Sequence, residues 1–177
     1  MNLRLLSKVV VSLAAMTLFG CGGGGGGGAA PAGGTPPGDG TPGVLTIGTA
    51  STPSLPTGTT INGVDLTITL PAGVTVKADA VSGAADPSIL VLSGAAAALP
   101  NSIVSGKYNK TANTLRVIVA NVQPGFATGE LVKVNFDGSP SGTATFAVVL
   151  NQVSGGADPK VPATLTGVTA TSAFAGP

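Results

Sequence analysis

The side chains that carry most enzyme chemistry are scarce in this chain of 177 residues. It has no His, a single Cys at position 21, and seven acidic residues that are spread along the sequence. The acidic residues are Asp39, Asp65, Asp79, Asp86, Glu130, Asp137 and Asp158. This composition excludes a His base, a Cys-based zinc cage and an intrachain disulfide.

A pair of catalytic carboxylates, as in glycosidases, is a further kind of active site to consider. A glycosidase needs two of them across a cleft, but Asp86, Asp137 and Asp158 each precede Pro or Gly, where Asp typically initiates a turn. Ser and Thr are abundant, yet no G-x-S-x-G nucleophile motif is present. A D-x-D-x-D-G run, which would indicate a calcium loop, is also missing. The sequence therefore predicts a protein that is not an enzyme, with no catalytic residues, no metal and no cofactor.

The N-terminus has the pattern of an export signal. A basic segment is followed by residues 9–19, an uncharged and largely apolar run that is short for a bilayer span. The run ends in Leu-Phe-Gly-Cys, which resembles the lipobox of bacterial lipoproteins. This resemblance implies that residues 1–20 are a signal peptide, that cleavage follows Gly20, and that a diacylglyceryl group on Cys21 anchors the protein in a membrane.

Residues 21–43 are predicted to be the lipidated Cys and a flexible tether. Seven Gly residues follow Cys21 without interruption, and a Gly-, Pro- and Thr-rich mixture continues from there. Such a composition is typical of a flexible coil, whereas a phosphate-binding loop needs a flanking strand and a Lys-Ser/Thr step. Gly22 rather than Asp follows the Cys, which resembles outer-membrane lipoproteins. We therefore expect a lipid-anchored envelope protein; an ordinary secretory signal or an uncleaved anchor are the alternatives.

The net charge of the chain gives no indication of nucleic-acid binding. The chain has eight Lys and Arg residues against seven acidic ones, and removal of residues 1–20 leaves six against seven. Recognition of a phosphate backbone needs a clear excess of positive charge. No nucleic-acid partner is expected.

Residues 44–177 are predicted to form one all-β domain. Residues 64–70 alternate apolar and polar side chains at period two, and residues 130–137 and 143–150 do the same. Residues 115–119 alternate less cleanly, which predicts a strand covered on both faces. Weaker strand candidates lie at residues 44–48, 74–78, 89–93, 103–108 and 163–172, and one helical turn is expected within residues 93–99. About nine short strands separated by turn residues predict a two-sheet β-sandwich.

Side-chain orientation follows from the same alternation. In the strand at residues 130–137, Val132, Val134 and Phe136 are expected to face the core, and Leu131 the opposite side. Phe146 is expected in the core for the same reason.

Two parts of this pattern resemble cohesins. Gly-Val-Asp-Leu-Thr-Ile-Thr-Leu-Pro at residues 63–71, followed by Val-Thr-Val at 74–76, is similar to the cohesin strand, Pro-containing turn and second short strand. The strand at residues 115–121 and the Gly-Glu-Leu strand at residues 129–136, which ends on an aromatic side chain, resemble another cohesin segment. The resemblance implies a nine-stranded jelly-roll sandwich, which cohesins share with some carbohydrate-binding modules.

The resemblance also implies a mode of action, because cohesins bind dockerins through one face of the sandwich. Here the polar strand faces around Asp65, Thr67, Arg116 and Lys133 would bind a dockerin-like protein, unless they are plain solvated faces. A polysaccharide ligand, linked to polysaccharide catabolism, is one alternative, although sugar platforms use several aromatic rings and only Tyr108 is a candidate for exposure. A structural lipoprotein of the envelope is the other.

Overall fold

The computed structural model of the chain describes residues 43–121, 123–137, 145–158 and 160–176. This part of the chain forms nine strands, a four-residue α-helix, α1 (Gly94–Ala97), and a single 3-10 turn at Pro87–Ile89. In chain order the strands are β1 (Val44–Ser51), β2 (Thr60–Thr69), β3 (Leu90–Leu92), β4 (Ile103–Asn109), β5 (Thr114–Ala120), β6 (Gly129–Asn135), β7 (Ala147–Gly156), β8 (Ala163–Thr164) and β9 (Val168–Ala175). The predicted all-β sandwich of about nine strands is confirmed.

The strands form two antiparallel sheets. The order in the four-stranded sheet is β3-β6-β1-β9, and the order in the five-stranded sheet is β4-β5-β2-β7-β8. The pairs β4–β5, β3–β6, β2–β7 and β1–β9 are nested in sequence, with β4–β5 innermost and β1–β9 outermost. Nested pairs of this kind result when one long hairpin is rolled into two layers, which gives a jelly-roll topology.

The core lies between the sheets and is made by one face of each strand. Leu66 and Ile68 of β2, and Leu115 and Val117 of β5, are completely buried, as the period of two predicts. At one end of the core, the ring of Phe146 lies 5.0 Å from that of Phe136 and 4.8 Å from that of Phe174, measured between centroids. Aromatic pairs at this spacing add to the stabilisation from burial.

Several strand predictions differ from the structure. Residues 74–78 form no strand and make only isolated bridges at Thr75 and Ala78. The candidate at residues 163–172 is divided, because β8 joins the five-stranded sheet and β9 the four-stranded sheet. The strand at residues 115–119 is not covered on both faces, since Ile118 is 39 % exposed.

Leu131 also faces differently from its prediction. The pairing of β1 with β6 shifts between Ile47 and Gly48, so that Leu131 is an extra residue in a β-bulge. A bulge interrupts side-chain alternation, and Leu131 and Val132 are both fully buried. The predicted helical turn is confirmed as α1, which contacts β6.

Candidate functional site

The outward-facing surface of the five-stranded sheet, which we call the outer face, holds three of the four predicted binding residues. Asp65 and Thr67 lie on β2, whose alternate residues Val64 and Leu66 point into the core. Arg116 lies on β5, directly opposite Thr67 and one diagonal step from Asp65. A diagonal pair on one sheet face is within reach of a long side chain. The fold therefore brings residues far apart in sequence onto one surface.

Asp65 and Arg116 form a bidentate ion pair. Arg116 Nε donates to Asp65 Oδ1 at 2.9 Å, and a terminal guanidinium nitrogen donates to Oδ2. The Asp65 side chain is only 17 % exposed, whereas that of Arg116 is 58 % exposed. The paired geometry fixes the guanidinium plane against the sheet while its remaining N–H groups stay open to solvent.

Asn151 completes the polar network and was not predicted from the sequence. The pairing of β2 with β7 shifts between Asp65 and Leu66, which leaves Asn151 as the extra residue of a β-bulge. Its Nδ2 donates to Asp65 Oδ1 at 3.0 Å and to Thr67 Oγ1 at 2.9 Å. The only sequence signal is the Asn-Gln pair that interrupts the apolar alternation after Leu150. Alternation alone does not reveal a bulge.

The hydrogen bonds from Arg116, followed by the one from Asn151, hold the pKa of the Asp65 carboxyl below its ordinary value of 3.8, against the opposing effect of burial. A lowered pKa in the folded state means that the pair stabilises the fold above about pH 4. That contribution is lost as the pH falls through the folded-state pKa.

We expect a carbon-detected NMR titration to place the Asp65 carboxyl midpoint below 3.8. Substitution Arg116→Met removes the main donor and should raise the midpoint toward the ordinary value. Lys133→Met, which removes a cation from the other sheet, is the matched control and should leave it unchanged. An unaltered Asp65 midpoint in Arg116→Met would show that the ion pair does not exist in solution.

A shallow groove of about 330 Å³ lies beside the polar network. Its floor is Gly63, which is flanked in the sheet by Ala120 and Ser154 and leaves a depression because it has no side chain. Residues that line the groove include Gly63, Asp65, Ile118, Ala120, Gln152 and Pro162. Further exposed apolar side chains on this face are Ile103 at 65 % and Val149 at 57 %. The outer face therefore combines a fixed ion pair with exposed apolar surface.

Lys133 lies away from the other three predicted residues. It belongs to β6 in the four-stranded sheet, where it is paired with Thr46 and Val91. Its Nζ is 3.6 Å from Glu130 Oε1, in an exposed i,i+3 contact. Lys133 therefore does not share the outer face with Asp65, Thr67 and Arg116, because alternation shows that a residue faces outward but not on which sheet.

A second depression, of about 550 Å³, lies between the 75–83 segment and the end of β4. Tyr108 lines it together with Lys107, Asn109 and Lys110. The Tyr108 ring is partly buried, and its hydroxyl is fixed by a 2.8 Å hydrogen bond to Asn113 Oδ1. An aromatic ring therefore borders this depression beside several polar side chains.

Some predicted features fall outside the described residues. Gly20, Cys21, the predicted signal peptide and the predicted tether up to residue 42 all precede the described residues; Gly43, the last residue of the predicted tether, is described, and its carbonyl oxygen accepts a hydrogen bond from Phe136 N. None of the helices within the described ranges has the length and apolar character needed to cross a membrane. The same ranges contain no cluster of three or more His, Cys, Asp or Glu side chains suited to a metal ion.

No protein-family model matches the chain, and no curated protein is significantly similar to it.

Proposed function

We propose that this protein is a non-catalytic binding module of the bacterial cell envelope that docks another protein through its outer face. The observation that carries the proposal is the Asp65–Arg116–Asn151 network beside the apolar groove at Gly63. Protein interfaces combine a desolvated apolar centre with a few oriented polar groups, and Arg is enriched among the residues that contribute most binding energy. The outer face offers that combination on a rigid sheet.

Preorganisation supports binding at this surface. The ion pair and the Asn151 hydrogen bonds hold the Arg116 guanidinium in place before a partner arrives, so that less side-chain entropy is lost on association. Ile118, directly opposite Asp65 in the sheet, supplies apolar area next to the charge pair. The absence of His from the sequence and the scattered acids support a binding role over a catalytic one.

The resemblance to cohesins supports a dockerin-like protein as the partner. A polysaccharide is the second candidate, and the observation that favours it is the cavity beside Tyr108, where one sugar ring could stack on the aromatic ring and contact polar side chains. The two candidates use different surfaces and are therefore separable by experiment.

The ligand class is tested with immobilised residues 44–177 as bait for the envelope and secreted fractions of the source cell, with and without a calcium chelator. Bound material is identified by protein mass spectrometry and by glycan analysis. A retained protein supports docking, and its dependence on calcium would match a dockerin-like partner. Retained glycan without protein favours the second candidate. Retention of neither contradicts both and leaves a structural envelope lipoprotein.

The proposal also includes a lipid anchor at Cys21, supported by the lipobox-like sequence. We expect metabolic labelling with a palmitate analogue to mark the wild-type chain, and Cys21→Ala to abolish the label and release the protein from the outer-membrane fraction, because acyl chains supply the anchoring free energy. Ser7→Ala, in the same N-terminal segment, is the control. Normal labelling of Cys21→Ala would refute lipidation at this residue.

A further inference from the structure

The four sheet edges of the sandwich are protected to very different degrees. β3 is three residues long and β8 two, so each offers little backbone for pairing. The edge of β4 is covered from Gly106 to Tyr108 by the 83–85 segment, with Ala85 N donating to Gly106 O at 2.9 Å and Tyr108 N donating to Gly83 O at 2.7 Å. Short or covered edges are the usual protection against unwanted strand pairing.

β9 is the exception. It is eight residues long, pairs with β1 on one side without a bulge, and is the last strand of its sheet. Its sequence, Val-Thr-Ala-Thr-Ser-Ala-Phe-Ala, contains no charged residue and no Pro, the two features that most often block an edge. Within the described ranges, no backbone group pairs with its outer side.

The hydrogen-bond pattern identifies which residues face this open edge. Thr52 N donates to Gly167 O at 3.0 Å, so these opposed residues are a hydrogen-bonded pair. Hydrogen-bonded and non-hydrogen-bonded pairs alternate along an antiparallel ladder. Thr169, Thr171 and Ala173 therefore direct their backbone groups to β1. The backbone N–H and C=O groups directed away from β1 belong to Val168, Ala170, Ser172 and Phe174.

We infer that β9 pairs antiparallel with β9 of a second copy of this chain, with the two-fold axis at Thr171. In this register Val168 lies opposite Phe174 of the other copy, and Ala170 lies opposite Ser172. All the edge-facing residues then exchange both backbone hydrogen bonds, as an antiparallel ladder requires. A shift by two residues in either direction leaves one edge-facing residue of each copy unpaired.

The side chains fit this arrangement. Thr171 meets Thr171 of the second copy on the outer side, and Thr–Thr cross-strand pairs are favourable. On the inner side, Val168 adjoins Phe174, and both residues pack against the core. With no charge on the strand, two copies approach without like-charge repulsion.

A second copy is favoured as the occupant because the edge is complementary to itself under a two-fold axis. The resulting sheet of two joined four-stranded sheets ends at β3 on both sides, so its exposed edges are three residues long and the assembly closes as a dimer. The outer face belongs to the other sheet and stays accessible in both copies, so the inference is independent of the proposed function.

Disulfide crosslinking of the whole chain tests the register. In a Cys21→Ser background, which removes the native thiol, Thr171→Cys places two thiols in a non-hydrogen-bonded pair with Cα atoms about 4.5 Å apart, within the range for a disulfide. Thr169→Cys is the matched control: both positions are exposed on the same face of β9, but two copies of residue 169 would be about 13 Å apart.

Mild oxidation should convert Thr171→Cys mainly to a disulfide-linked dimer on a non-reducing gel and leave Thr169→Cys at background. Adding Ser172→Pro to the Thr171→Cys chain removes an edge-facing donor and should reduce the dimer fraction; circular dichroism checks that the fold is retained. Absence of the Thr171→Cys dimer, or equal crosslinking of Thr169→Cys, would overturn the inference.

Discussion

Replacement of Gly155 by Ala is expected to reduce the free energy of unfolding by at least about 3 kcal/mol, the upper end of the usual cost of overpacking. Gly155 lies on β7 opposite Ile61 of β2. A Cβ atom there would lie 2.1 Å from the Thr60 carbonyl oxygen and 3.0 Å from the Ile61 Cα atom. Both are backbone atoms of the neighbouring strand, so the strands would have to separate.

Gly63→Ala is the matched control, because Gly63 is also a strand glycine on the same sheet. Its added Cβ would come close only to the Ser154 hydroxyl, at 2.9 Å, since the Val119 carbonyl oxygen is at an ordinary contact distance of 4.0 Å, and the Ser154 side chain can rotate away. Since Ala is favoured over Gly in a strand by about 0.5–1 kcal/mol, Gly63→Ala should cost little or nothing. Urea unfolding followed by circular dichroism compares the two variants; equal midpoints would refute the close packing of β7 on β2.

Local patterns predicted the fold better than they predicted the site. Leu66, Ile68, Leu115 and Val117 are buried because a strand between two layers has one core face, and that periodicity can be read directly from the sequence. The 74–78 segment also alternates apolar and polar side chains, but it forms only isolated bridges. Its pairing depends on neighbours distant in sequence, which local alternation does not specify.

The outer-face site could be predicted only in part, because local alternation does not specify which strands are neighbours. Asp65, Thr67 and Arg116 were identified as outward-facing polar residues, and their convergence follows from the pairing of β2 with β5. Lys133 satisfied the same local criterion but lies on the other sheet. Asn151 was missed because it enters the network through a β-bulge, which depends on how two strands pair and not on either strand alone.

Charge substitutions on the proposed docking surface are expected to weaken partner binding strongly. Ile118→Glu places a charge in the apolar groove, and Arg116→Glu replaces the fixed guanidinium with a carboxylate beside Asp65. A change at a residue that contributes strongly to an interface costs about 2 kcal/mol or more, which corresponds to roughly 30-fold weaker binding. Both side chains are exposed, but Arg116→Glu also removes the stabilising pair with Asp65, so circular dichroism is used to check that each variant retains the fold.

Capture of the proposed protein partner from envelope and secreted fractions by immobilised variants of residues 44–177 tests this surface most directly. Lys133→Glu reverses a comparably exposed charge on the four-stranded sheet and is the matched control. Quantified against wild type, Ile118→Glu and Arg116→Glu should each retain less than about one tenth of the bound protein, as a roughly 30-fold loss of affinity implies when the bait is subsaturating, and Lys133→Glu should retain all of it. Wild-type capture by both outer-face variants, or its loss in Lys133→Glu alone, would contradict docking through the outer face.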